Sequence, residues 1–196
     1  MRFILLIFSM CICLLDVFSQ QNTIQLKSGD FLLDKKFDMD SLEIDHYRLM
    51  IFDQLPNDIE RSEMEDIGIS FLDYLPRNIY VVSLENVISN MFLERYHVNS
   101  INRILGPYKI DPKIQNNEYP SWALKDGDLF VNLIFYKDVI ISEKIEYLRR
   151  FCAIEDINPF SNTVVISFDP KNLYFLSDLE YIFFIEPIDP PSLPEN

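Results

Sequence analysis

The chain has 196 residues and a formal net charge of −14, which fits one domain or two small ones at the usual ~100–200 residues per domain. This acidity excludes the basic patch that nucleic-acid binding needs, and it favours solubility and a partner with a basic surface. Because 48% of the residues are apolar, the chain can bury a core, and wholesale disorder is excluded.

The first 19 residues have the pattern of a secretory signal peptide. Arg2 gives the positive start, an apolar run follows over residues 3–15, and Ser19 supplies a small residue before a cut at Gln20. The run is shorter than the ~20 residues of a membrane-spanning helix, so stable membrane insertion is not expected. We therefore expect a secreted or periplasmic protein.

Removal of this segment removes Cys11 and Cys13 and leaves Cys152 as the one cysteine of the mature chain. A lipid-modified cysteine needs a small residue before it, whereas Met10 and Ile12 stand there. One remaining thiol forms no internal disulfide. Cys152 lies in an apolar helical pattern and is predicted to be a small buried core residue.

Residues 20–46 carry the weakest pattern and are predicted as a short strand or arm followed by an acidic linker. Residues 47–110 then have the pattern of a β-α-β-β-α-β module. Gly68 suits the left-handed position that ends the first helix. The second helix is predicted to turn five apolar residues inward, Val87, Ile88, Met91, Phe92 and Tyr96. The predicted strands are 47–52, 69–75, 79–84 and part of 101–110, and the predicted helices are 56–67 and 85–96.

Residues 111–128 contain the proline, asparagine and glycine that typically separate domains, and they are predicted to form a hinge anchored by Trp122. The same order of elements returns in residues 129–188, where Ser142 is predicted to cap a helix. The two copies match best at residues 80–85 and 164–169, each a β-branched strand that ends in an acid. The predicted strands of the second copy are 129–136, 154–157, 163–168 and 181–188, with helices from 142 and at 170–180.

The sequence therefore predicts an α+β fold of two tandem ferredoxin-like (β-α-β-β-α-β) modules, with antiparallel sheets and the helices on one face. Residues 189–196 follow as a proline-rich tail, which the fixed φ of proline keeps extended and non-helical.

The residues that carry chemistry in enzymes form no catalytic or metal-binding pattern in this sequence. The two histidines, His46 and His97, are not spaced as metal ligands. No serine lies in a Gly-x-Ser-x-Gly elbow, and the four glycines form no phosphate-binding loop. The acids at residues 38–43 and 126–128 lack the ligand spacing of a calcium loop. We predict no catalytic residue, no metal site and no cofactor, and a function exerted by binding.

One run of residues resembles a known family. Residues 47–52 lead through a helix to residues 68–82, which contain Gly68, Asp73-Tyr74 and Asn78. This run resembles the propeptide region of secreted bacterial subtilisin-like serine peptidases, which carries a similar Gly-Ile-x-(Leu/Phe)-Leu-Asp-Tyr-(Leu/Ile)-Pro-x-Asn stretch. Residues 120–124 and 185–191 resemble the stretches that precede the catalytic domain there, and the likeness covers most of residues 26–196.

In that family the propeptide assists folding and inhibits the enzyme until it is cleaved, with its sheet on the catalytic domain and its tail in the substrate cleft. The resemblance implies a folding assistant and inhibitor of a secreted subtilisin-like peptidase catalytic domain, bound in cis or in trans. The catalytic triad motifs are missing, so the chain itself is expected to be no enzyme. It is expected to be either a fragment of a peptidase precursor or a stand-alone inhibitor.

The segment that the resemblance places in the cleft is Ile185, Glu186, Pro187, Ile188, Asp189, Pro190, Pro191, Ser192, Leu193, Pro194, Glu195 and Asn196. The alternative is a secreted, non-enzymatic scaffold or adhesion module that binds a partner strand at an exposed sheet edge.

Overall fold

The structure is a computed structural model that describes residues 23–40, 42 and 45–190. The predicted signal peptide, its cut between Ser19 and Gln20, and residues 191–196 of the predicted tail lie outside the described residues. Within them the fold is α+β, with antiparallel sheets and few helices, as the sequence predicts at that level.

The N-terminal segment folds into a β-hairpin. Strand β1 (Thr23–Leu26) pairs with β2 (Gly29–Leu32), and Ile24 lies opposite Phe31 with both side chains buried. Gly29 has a φ of 120° at the turn, a conformation that a side chain makes costly. The sequence predicts only a strand or arm here, because two four-residue strands give too short an alternation to be recognised as a pair.

The first sheet contains four strands. Its elements are β3 (Tyr47–Phe52), helix α1 (Asp58–Glu65), β4 (Ile69–Leu75), β5 (Ile79–Leu84), helix α2 (Asn90–Arg95) and β6 (Val98–Arg103). The strand order is β4-β5-β3-β6 with antiparallel neighbours. Asn57 and Glu60 form a capping box that starts α1. Gly68 follows the helix with a φ of 93°, so the predicted left-handed position is confirmed.

Helix α2 starts later than the sequence predicts, and its buried face differs. It begins after Ser89, whose hydroxyl accepts a hydrogen bond from the Phe92 N–H at 3.4 Å. Val87 and Met91 were predicted to face inward, but they are 71% and 81% exposed. Leu93 is fully buried instead. The prediction for Val87 and Met91 is wrong because the later start shifts the phase of the apolar stripe.

The segment predicted as a hinge lies against the second sheet. It contains helix α3 (Pro112–Gln115), a 3-10 helix at Ser121–Ala123 and strand β7 (Leu124–Lys125), and a further 3-10 helix at Gly106–Lys109 precedes it. Ile114 and Ala123 are buried in the core of the second sheet. The Asp111 N–H donates to the Ile185 carbonyl at 2.9 Å. These contacts fix the two ends of the segment to the sheet that follows it.

The second sheet repeats the order of the first. Its elements are β8 (Asp128–Phe135), helix α4 (Ile141–Leu148), β9 (Ala153–Asn158), β10 (Thr163–Phe168), a 3-10 helix at Pro170–Asn172, helix α5 (Leu173–Ser177) and β11 (Ile182–Pro187). The strand order is β11-β8-β10-β9, and β7 pairs with β8. The predicted cap at Ser142 is wrong, because Ile140 is the N-cap residue, without a side-chain hydrogen bond, and Ser142 lies inside the first turn.

Each sheet has a β-bulge in its second strand. In β4 the register with β5 shifts between Phe71 and Asp73, so Leu72 is the extra residue. In β9 the register with β10 shifts between Ile154 and Asp156, so Glu155 is the extra residue. A bulge bends the strand and increases its local twist.

The apolar side chains form three cores. The first sheet packs Met50 and its neighbours against α1 and α2, and the second sheet packs Leu133 and its neighbours against α4 and α5. The third core joins the opposite face of the first sheet, represented by Leu49, to Phe31 of the hairpin and Tyr136 after β8. The two sheets and the hairpin therefore share buried surface.

Candidate functional site

One face of the second sheet is only half-buried. Along β8 the fully buried residues Leu129, Val131, Leu133 and Phe135 alternate with partly exposed ones. Strand β10 places Val165 opposite Asn132 and Ser167 opposite Phe130. We call the half-buried side the open face, which consists of Phe130, Asn132, Ile134 and Val165. The buried side chains of Ser167 and Phe184 flank it. Three of its four side chains are apolar, which suits a protein partner, since aromatic and aliphatic side chains form the core of interfaces.

Acidic side chains lie at both margins of the open face. On the β9 side, the Ser167 hydroxyl donates to the Glu155 carboxylate at 2.6 Å. On the β11 side, Glu186 forms an ion pair with Lys27 of the N-terminal hairpin. The Lys27 ammonium also lies 4.8 Å from the centroid of the Phe184 ring. The mainly apolar open face is therefore flanked by carboxylates on both sides.

Strand β11 carries the chain from the open face towards the tail. Phe184 lies opposite Ile134 in the open face. Ile185, the first residue of the predicted cleft-binding segment, is fully buried and forms a parallel bridge with Ile110. Glu186 and Pro187 complete the pairing with Asn132 and Val131. These three residues are part of the folded sheet.

The base of the tail is fixed by the single tryptophan. The Trp122 indole N–H donates to the Ile188 carbonyl at 3.0 Å, and Ile188 packs partly buried on the second core. Asp189 and Pro190 then extend into solvent. Of the predicted cleft segment, residues 185–188 are held by the fold, residues 189–190 are exposed, and residues 191–196 lie outside the described residues.

Residues 20–105 match the model of a family described as a domain of unknown function (DUF8729). The match is shorter than half of the chain. It covers the N-terminal hairpin and the first sheet and ends two residues after β6. No curated protein and no solved structure matches the chain.

Two buried cations lie near Asp45, close to the junction between the first sheet and the second. Arg48 is fully buried and donates to the carbonyls of Asp38, Asp40, Asp45 and Tyr47 at 2.6–3.0 Å. The same guanidinium lies 3.6 Å from the Asp45 carboxylate. Every Arg48 nitrogen has a carbonyl acceptor, which offsets the cost of burying its charge.

Lys109 is buried in the same junction. It is 3% exposed, and its ammonium donates to the Leu179 carbonyl at 3.3 Å. Burial lowers the Lys109 pKa to about 8, although Asp45 and Asp178 oppose that shift. A lysine with a lowered pKa is a candidate general base in an open cleft. Lys109 is enclosed by protein, so we assign it a structural role.

The remaining sequence candidates lie apart from one another. His97 follows α2 with a φ of 56°, and His46 lies 3.9 Å from Glu180. The Cys152 thiol donates to the Leu148 carbonyl at 3.3 Å, and burial raises its pKa to about 11. That shift leaves the thiol protonated at neutral pH and therefore a weak nucleophile.

The described residues contain neither a metal-binding cluster nor a membrane-spanning helix. Across residues 23–40, 42 and 45–190, no group of three or more histidine, cysteine or acidic side chains is placed to hold a metal ion. In the same part of the chain no helix has the length and apolar character needed to cross a membrane.

The open face was not predicted from the sequence. Its signal is the β8 pattern, in which Phe130 and Ile134 interrupt the polar positions of an otherwise alternating strand. A strand with apolar side chains on both faces is either covered on both faces or carries a binding surface on one of them. Partial exposure of Phe130 and Ile134 separates these two cases, and only the structure supplies it.

Proposed function

We propose that this chain is a propeptide-like folding assistant and inhibitor of a secreted subtilisin-like serine peptidase. The observation that carries the proposal is the shared position of the open face and the tail. Strand β11 borders the open face, where the buried Phe184 lies opposite Ile134, and the chain then continues into Ile188, Asp189 and Pro190. A partner that binds the open face would therefore also lie next to the tail, because the tail follows the same strand.

The strand order supports two tandem ferredoxin-like modules. In the first sheet β4-β5-β3-β6 is the order second, third, first, fourth along the module. In the second sheet β11-β8-β10-β9 is the order fourth, first, third, second. These are one order written from opposite ends, and both modules place a helix after their first and third strands. We infer that each is a split β-α-β arrangement.

The quoted resemblance falls on the β4–β5 hairpin. Arg77 and Asn78 belong to the three-residue connection between the paired residues Leu75 and Ile79. Their φ angles of 69° and 58° are left-handed, a conformation that asparagine tolerates. The asparagine of the similar stretch thus has a local structural task in this chain. The similar run therefore supports a shared hairpin. The proposed partner rests on the open face and the tail instead.

The exposed start of the tail has the chemistry of a cleft-binding segment. An extended peptide binds a protease cleft by adding a strand to its edge. Pro190 has a fixed φ and lacks an N–H, so it lowers the entropy lost on ordering and provides a poor site for cleavage. The acidic margins of the open face would steer the module to a basic patch on its partner.

The test is inhibition of secreted subtilisin-like catalytic domains on a chromogenic peptide substrate. Four proteins are compared: mature chain 20–196, a chain that ends at Ile188, Ile134→Lys in the open face, and the control Phe160→Lys. Phe160 is fully exposed in the β9–β10 turn. The truncated chain ends at Ile188 because a chain that ended at Ile185 would also lose the strand pairing of Glu186 and Pro187.

We expect the mature chain and Phe160→Lys to inhibit equally. The truncated chain and Ile134→Lys should each have an inhibition constant at least about tenfold higher, a loss of about 1.4 kcal/mol. The mature chain without peptidase should leave the substrate intact. Equal inhibition by the truncated chain would show that the tail is not the inhibitory element, and equal inhibition by Ile134→Lys would remove the open face from the proposal.

A second candidate function is favoured by the exposed outer strand of the second sheet. Strand β9 lies at the end of the strand order, and all of its residues except Ile154 are exposed. An extended partner strand can add to such an edge. If no variant inhibits any peptidase, while a proline at Asp156 abolishes binding to an extended peptide, the scaffold or adhesion function is the better one.

A further inference from the structure

A cavity of about 190 Å³ lies where the N-terminal hairpin, the first sheet and β11 meet. Leu26 comes from the hairpin, and Phe183 comes from β11. Leu49 and Val81 lie directly opposite each other on β3 and β5. Ile104 closes the side that follows β6. Three segments that are distant in the sequence thus supply a mainly aliphatic and aromatic wall.

Polar residues are a minority of the cavity lining, with Gln25, Lys27 and Tyr108 among ten lining residues. Among the described residues that line it, Lys27 carries the only charge, and its side chain is 60% exposed. The cavity therefore meets solvent beside Lys27. Because Lys27 is ion-paired with Glu186 and stacked over Phe184, its charge is already matched.

The size and lining define the ligand class. An apolar cavity of ~150 Å³ remains dry and binds benzene, because water needs two to four polar partners to enter. An anion in this cavity would meet mainly apolar walls, and the one charged lining residue, Lys27, is already paired with Glu186. A buried charge without a partner is costly. A neutral molecule with about one aromatic ring matches both the volume and the lining.

We propose that this cavity is a binding site for a small, neutral, apolar molecule of about one aromatic ring. The bound molecule contacts the hairpin, the first sheet and β11 together, so it stabilises their junction. The proposal goes beyond the inhibitory function above and does not depend on it.

The experiment uses mature chain 20–196 with benzene and indole as neutral probes and benzoate as the anionic control. Calorimetry and shifts of backbone amide resonances measure binding. We expect saturable binding of benzene with a Kd of about 1 mM or lower, a concentration-dependent rise in Tm, and no binding of benzoate. Resonance shifts should cluster around Leu26, Val81 and Phe183.

Two neighbouring residues give a matched pair of variants. Ile104→Phe places extra volume in the cavity, whereas Leu105→Phe places the same ring at a half-exposed position outside it. Ile104→Phe should weaken benzene binding at least tenfold, and Leu105→Phe should leave it within twofold. Absence of benzene binding to the mature chain, or equal binding by Ile104→Phe, would overturn the proposal.

A crystal of the mature chain under xenon pressure decides the matter if Ile104→Phe does not fold. Xenon is a neutral apolar probe that occupies dry cavities. We expect xenon between Leu49 and Phe183, and its absence there would also overturn the proposal.

Discussion

The rings of Tyr47 and Tyr136 lie parallel, with centroids 3.6 Å apart and an interplanar angle of 3°. Tyr47 opens the first strand of one sheet, and Tyr136 follows the first strand of the other. Their hydroxyls differ, because Tyr47 donates to Asp138 at 3.0 Å and the buried Tyr136 hydroxyl has no hydrogen-bond partner among the described residues. The stack joins the two sheets at the third core.

This difference predicts opposite effects of the same substitution. Tyr136→Phe removes a buried hydroxyl without a partner and should raise the free energy of unfolding by about 1 kcal/mol. Tyr47→Phe loses a hydrogen bond to a carboxylate and should lower it by about 1–2 kcal/mol. Urea unfolding followed by circular dichroism measures both. A destabilised Tyr136→Phe would mean that its hydroxyl does have a partner.

The lowered pKa of Lys109 predicts that the free energy of unfolding rises with pH above about 8. Its pKa falls from 10.5 in the unfolded chain to about 8 in the fold, mainly through burial. Folding then releases a proton, so the stabilisation is complete above the unfolded pKa and is lost as pH falls through about 8. Between pH 8 and pH 9.5 the wild-type chain should become more stable relative to Lys109→Met.

At pH 7 Lys109→Met should be the more stable chain by at most about 3 kcal/mol, the value of a shift of about 2.5 pKa units. Denaturation midpoints at pH 7, 8, 9 and 9.5 give the comparison. Lys171→Met, at an exposed lysine, is the control and should show no such dependence. Parallel pH profiles for Lys109→Met and the wild type would contradict the burial argument.

Arg48 predicts a large cost for a conservative change. The guanidinium donates through all three nitrogens to carbonyls of residues 38–47, and a lysine ammonium cannot reproduce that planar arrangement. Arg48→Lys should lower the free energy of unfolding by about 2–4 kcal/mol, since each hydrogen bond to a charged group contributes about 1.5–3 kcal/mol. Arg95→Lys, at an exposed arginine, should change it by less than about 0.5 kcal/mol.

Trp122 predicts a fluorescence signal for the base of the tail. It is the only tryptophan of the chain, and its indole N–H bonds the Ile188 carbonyl. A chain that ends at Ile185 lacks this acceptor and should show a red-shifted emission as the indole becomes hydrated. A chain that ends at Ile188 should keep the wild-type spectrum. Identical spectra for the two truncated chains would contradict a hydrogen bond between Trp122 and Ile188 in solution.

The strand pattern of both sheets could be predicted because it rests on local alternation of apolar residues and on glycine and proline breaks. The bounds predicted for β10 coincide with Thr163–Phe168. Gly68 follows α1 in the left-handed conformation that a residue without a side chain adopts easily. The phase of α2 could not be predicted, because Ser89 and not residue 85 caps that helix. Which of two residues caps a helix depends on which apolar face of that helix packs against the core.

The contacts between distant segments were also beyond the sequence. Arg48 stands in a strand with apolar neighbours and has no local sign of burial, yet its partners come from the segment that was predicted as a linker. The open face depends on which side of β8 receives α4 and α5. Tertiary packing determines which face of the strand is buried, since the same strand pattern is compatible with helices on either face.

The bulges at Leu72 and Glu155 have a consequence for the chain at high concentration. Each bends the outermost second strand of its sheet, and each is followed by an acid, Asp73 or Asp156. A flat strand edge is a template for growth into fibres. Two copies of the same bent, acidic edge repel each other, whereas a partner strand of different charge is not repelled. Both sheets thus carry the same protection against self-aggregation, so deletion of Glu155 should make the protein more prone to form amyloid-like fibres than the wild type.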